Sequence, residues 1–69
     1  MKYLVIYEKT TTGYSAYVPD LPGRITTGST LPETEGMMTE AIEFHIEGLR
    51  EDGLPVPEPS TIADYITAA

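Results

Sequence analysis

The sequence predicts a small α+β domain ordered β-β-β-α-β, and three observations predict it. Short runs rich in β-branched and aromatic residues recur before position 28, separated by turns that carry glycine and proline. From Thr30 the apolar period lengthens to that of a helix and holds to about Asp52. A further apolar run, residues 61–67, follows a proline-rich stretch. A helix with one apolar stripe must bury it, so it packs on one face of the small sheet.

Residues 2–9 read as the first strand. Tyr3, Val5 and Tyr7 alternate with Leu4 and Ile6, so both faces are apolar, which predicts a central place in the sheet. Thr10 to Gly13 form a turn, with Gly13 free to take positive φ. Residues 14–18 resume the alternation and pair back as a hairpin. Pro19 to Gly23 break the chain, since proline fixes φ and Gly23 can turn left-handed. Residues 24–28 form a short third strand, where two threonines favour a pleated surface.

The helix opens on Thr30-Leu31-Pro32-Glu33, a capping box. Pro32 lies in the first turn, where its missing N–H costs nothing. Leu31, Met38, Ala41, Ile42, His45 and Leu49 make one stripe, and Glu40, Glu43, Glu47 and Glu51 crowd the opposite side. Met37 and Phe44 lie between the two. Gly53 ends the helix as a left-handed cap. Residues 54–59 carry three prolines in alternate positions and favour an extended run. Residues 61–67 then read as a fourth strand, parallel to the first.

A chain of 69 residues makes one domain, spanning 1–69. A core of that size supplies roughly 3–5 kcal/mol, and such domains usually need a staple. There is no cysteine and only one histidine, which excludes disulfides, thiolate metal sites and a histidine-rich zinc site. Association with a partner or with another copy is the staple that remains. The net charge of −7 repels phosphate backbones and suits a basic partner. The apolar N-terminal run breaks at Glu8 and Lys9, too early for a signal peptide, and no stretch is long enough for a membrane helix. A cytoplasmic location is expected.

Catalytic chemistry finds little support. His45 lies in the apolar stripe with no nucleophile at a telling spacing, and reads as a core or interface histidine. Glu43 and Glu47 flank it but face away from it, and the spacing fits no metal-ligand pattern. No lysine follows Gly23 or Gly28 as a phosphate-cradling loop would need. Asp20, Glu8 and Asp64 are the strand-end acids that a degenerate magnesium-dependent nuclease would use. The expectation is a binding domain, with no enzyme activity, cofactor or metal.

The most specific feature is a whole stretch. Gly13-Tyr14-Ser15-Ala16-Tyr17-Val18-Pro19-Asp20-Leu21-Pro22-Gly23 closely resembles the HicB antitoxin family of bacterial and archaeal toxin–antitoxin operons. The resemblance continues through Thr27 to Thr30, Glu40 to Leu49, and Glu51 to Ser60. It implies a partial ribonuclease-H-like fold without the acidic metal site of the nuclease. It also implies a function: binding a small basic mRNA-cleaving toxin of the HicA type and covering its active site, with dimers or higher oligomers common. Many relatives add a C-terminal DNA-binding segment, so this chain reads as a short form without one. Arg24 stands where relatives usually have cysteine, and Pro32 and Gly36 where alanine or an acid is usual.

Charge selects the candidate toxin contacts: Glu43, Glu47 and Glu51 on the helix, with Asp52 and Glu58 in the loop beyond it. Tyr14, Tyr17 and Phe44 are the candidate oligomer contacts, as large aromatics expected at the surface. The competing reading is an orphan homo-oligomeric domain with no toxin partner.

Overall fold

The computed structural model describes all 69 residues. Three short strands, β1 (Ile6–Lys9), β2 (Tyr14–Tyr17) and β3 (Ile25–Gly28), precede one helix, α1 (Leu31–Glu51). They form an antiparallel meander in the order β1-β2-β3, with Ile6 opposite Tyr17 and Tyr17 opposite Ile25. The α+β class and the helix on one sheet face are as expected.

The strands are shorter than the periodicity predicts, and β1 is an edge strand rather than a central one. Both differences share a cause. β2 leaves the sheet at Val18, where Leu21 donates its amide to the Val18 carbonyl and a turn begins. Residues 2–5 therefore have no partner on that side. On the other side the fourth strand is missing, because residues 61–67 carry no regular structure. Their apolar positions, 62, 63, 65 and 66, do not alternate, and Asp64 falls on the face that Ile62 and Ile66 would bury.

The core is small. Ala16, Val18, Leu21 and Met38 are fully buried, with Tyr3, Val5, Tyr7 and Ile42 packed around them. Leu21 belongs to the segment read from sequence only as a chain breaker. It is buried because the Leu21–Arg24 turn folds it inward: Arg24 donates to the Leu21 carbonyl, and Gly23 at φ 81 supplies the left-handed corner. Thr34 is also buried on the helix stripe, whereas Leu31 in the first turn is exposed.

Close packing of backbones explains two glycines. A Cβ on Gly28 would come within 2.5 Å of the Thr34 hydroxyl, so β3 and α1 approach closely there. A Cβ on Gly13 would collide with the Gly28 carbonyl oxygen. Positive φ occurs only at Gly23 and Gly53, so Gly13 serves proximity rather than the left-handed turn expected of it.

Both helix ends follow local chemistry. The Thr30 hydroxyl accepts from the Glu33 amide at 3.2 Å. At the other end Leu54 donates to Leu49 at 2.9 Å and Gly53 to Arg50 at 3.1 Å, with Gly53 at φ 68. That pair of bonds is the Schellman pattern.

Beyond the helix the chain becomes a strap. The Tyr3 hydroxyl donates to the Pro57 carbonyl. Three residues on, the Asp20 carboxylate accepts from both the amide and the hydroxyl of Ser60 and of Thr61, at 2.7–3.1 Å. The chain has no cysteine, and the Tyr3–Pro57 bond is its longest-range side-chain hydrogen bond, spanning 54 residues.

Candidate partner-binding surface

Helical geometry brings three predicted acids together. Glu43, Glu47 and Glu51 lie on the outer side of α1 with Glu40, and all are exposed. The opposite side of the helix is committed to the core through Met38 and Ile42, which leaves this stripe facing solvent. Asp52 and Glu58 are exposed but belong to other features. Asp52 is the helix C-cap, and Glu58 sits on the strap between Pro57 and Ser60.

Phe44 stands within the acidic stripe, 78 % exposed, in a shallow depression shared with Glu47, Gly48 and Glu51. It does not fold over the sheet edge. Beside it runs a second shallow groove, lined by Arg24, Thr26, Met37, Glu40, Ala41 and Phe44, between β3 and α1. Two buried polar atoms in this groove have no partner within the chain: Arg24 Nε and Thr26 Oγ1. Buried donors and acceptors are normally satisfied, so these two atoms are exceptions.

The candidate oligomer contacts do not form one patch. Tyr14 shares the helix-facing side of β2 with buried Ala16, Tyr17 points to the opposite sheet face, and Phe44 lies on the far side of the helix. On the open sheet face Tyr17 instead stands in line with Ile6 and Ile25.

The acids proposed for metal binding are not brought together either. No group of three His, Cys, Asp or Glu side chains is placed to hold an ion. Asp20 is engaged by Ser60 and Thr61, and hydrogen bonding, first from the Thr61 hydroxyl and then from the Thr61 and Ser60 amides, lowers its pKa to about 2. Tyr7, packed under the helix, has its phenol pKa raised by burial and then by the Glu35 charge. His45 is half-buried in a groove with Arg24, Leu49 and Asp52, consistent with a packing residue. No helix of the chain is long and apolar enough to cross a membrane.

What the fold and surface define is a small acidic α+β protein with an exposed carboxylate stripe along its one helix. The chain belongs to the HicB-like antitoxins of bacterial toxin–antitoxin systems, whose family model matches residues 3–69. It is 44 % identical over 66 residues to an uncharacterized 14.9 kDa protein from the rep–hol intergenic region of Haemophilus phage HP1, covering 96 % of this chain and 50 % of that one. It is 34 % identical over 61 residues to Antitoxin HicB 2 of Photorhabdus laumondii, covering 88 % and 44 %. The chain thus spans about half the length of these two relatives. Among solved structures it matches a chain of a HicA3 and HicB3 toxin–antitoxin complex. The TM-score is 0.71 at 33 % identity, covering 87 % of this chain and 70 % of that one.

Proposed function

We propose that this chain binds a small basic mRNA-cleaving ribonuclease toxin of the HicA type and neutralises it by covering its active site. The observation that carries the reading is the acidic outer face of α1, Glu40, Glu43, Glu47 and Glu51, with Phe44 exposed in its middle. A carboxylate stripe steers a basic partner to the surface and fixes its orientation. A protruding aromatic supplies the desolvated anchor that such interfaces concentrate their energy in. Family membership, and the likeness to a chain from a complex with a HicA toxin, support the same partner. Asp52 and Glu58 extend the negative field beyond the helix.

Isothermal titration with a HicA-type toxin at several salt concentrations tests this. Glu47→Lys combined with Glu51→Lys should weaken binding by about tenfold or more and flatten its salt dependence. Unchanged affinity and salt slope would show that another face meets the toxin.

A further inference from the structure

We propose that the groove between the N-terminal segment and α1 seats an amphipathic helix of the partner, apolar on its inner face and basic along one flank. This deepens the toxin reading and rests on it, since the helix would belong to the basic toxin. The groove is the largest on the molecule, about 800 Å³. Met1 and Tyr3 line it on one side, Ile42 and Ile46 of α1 on the other. Tyr3 is held in place, because its hydroxyl donates to the Pro57 carbonyl and its side chain packs on the core. A wall fixed in this way needs little ordering when a partner arrives. Ile46 is the telling residue. It is half-buried, yet unlike Ile42 it is not among the side chains packed on the core. Its apolar surface is turned to the groove instead.

Spacing selects a helix as the occupant. Along α1 the groove is lined by Thr39, Ile42, Glu43, Ile46, Glu47 and Arg50. These recur in steps of three and four over about three turns, roughly 16 Å. A wall with that period is a ridge, and such ridges pack against those of another helix. The visiting helix would present apolar anchors at i, i+3 or i+4, and i+7 to Ile42 and Ile46.

Charge selects the flank. Glu43 and Glu47 are exposed and edge the groove one turn apart, so cationic side chains of the visitor fall opposite them. Arg50 ends the acidic stretch at the far end. An acidic helix is repelled by the same two carboxylates. Glu47 also lines the depression around Phe44, so the groove is continuous with the acidic face already described.

Fluorescence anisotropy with a labelled helical peptide of about 14 residues, four turns, tests the groove directly. The probe carries leucines at the helical spacing above and lysines beside them. It should bind with a dissociation constant on the order of 10–100 µM, and a twin with serine for leucine at least tenfold more weakly. Ile46→Asp should weaken binding of the probe by about tenfold or more, although it makes the protein more acidic. Thr39→Arg, at an exposed helix position, should do the same and keeps the test open if circular dichroism shows Ile46→Asp unfolded. Attraction by charge alone gives the opposite result for Ile46→Asp and no difference between the twins, and either would overturn the proposal. A HicA-type toxin should displace the probe and lose affinity for the Ile46→Asp protein. A toxin that binds without displacing it would overturn the proposal and leave the toxin reading standing. A probe that binds in the groove, with no toxin binding at all, would support the groove as a helix seat and overturn the toxin reading.

Discussion

The Asp20 carboxylate accepts both the amide and the hydroxyl of Thr61, at 3.1 and 2.7 Å, across 41 residues of sequence. Those bonds, with the matching pair from Ser60, hold the strap against the β2–β3 loop. They favour the ionised carboxylate, and the pKa falls from 3.8 to about 2. A depressed acid contributes stability in full above its unfolded value and loses it as pH falls through the folded one. The strap should therefore hold at pH 5 and above and release between about pH 4 and 2. Amide signals of Ser60 and Thr61 followed by NMR should move together in that window. In an Asp20→Asn variant the same signals should show no titration there.

Glycine substitutions should separate by what a Cβ meets. Gly13→Ala drives a methyl against the Gly28 carbonyl oxygen, a backbone atom that cannot swing aside. It should cost about 1–3 kcal/mol and lower the melting temperature by several degrees. Gly36→Ala on the helix meets open space and should stabilise by about 0.5–1 kcal/mol. Thermal denaturation of the two variants side by side checks the opposite signs.

Thr30 holds the helix entrance through the bond it accepts from Glu33. Thr30→Ala should cost about 1 kcal/mol, whereas Thr30→Asp should keep the cap and most of the stability. Urea denaturation of both variants distinguishes loss of the cap from loss of the side chain as such.

Phe44 offers a test in which folding and binding part company. At 78 % exposure, Phe44→Ala should change stability by less than about 0.5 kcal/mol. If the acidic face meets the toxin, the same change should weaken binding by about 2 kcal/mol, roughly thirtyfold. Calorimetric titration with denaturation data on the same sample reads both.

Features set by neighbours in sequence were legible from sequence. The Thr30 cap, the glycine exit at Gly53, the left-handed Gly23 and the hairpins each rest on a few consecutive residues. Features set by distant partners were not. Periodicity over residues 61–67 suggested a strand, but a strand needs an edge to pair with, and the Asp20 bonds hold the chain elsewhere. Asp20 itself read as a possible metal ligand, because nothing local shows that Ser60 and Thr61 come to it. Burial of Leu21 and the closeness of Gly13 to Gly28 likewise appear only when separate turns are brought together. On the candidate surface the acidic stripe was visible from its spacing. The exposure of Phe44 within it depended on how the helix is rotated over the sheet.

The strap also sets an order of events in folding. Its two anchor points join residues 54 and 40 positions apart, whereas the meander and the helix close through near neighbours. Loop-closure entropy makes the distant ties the last to form. By reversibility they are the first to open, and the bonds to Asp20 are themselves exposed. Each brief opening frees residues 54–61 while the meander stays paired, so a protease that has trimmed the exposed residues beyond Thr61 would next nick the chain within the strap and leave the three-stranded body whole.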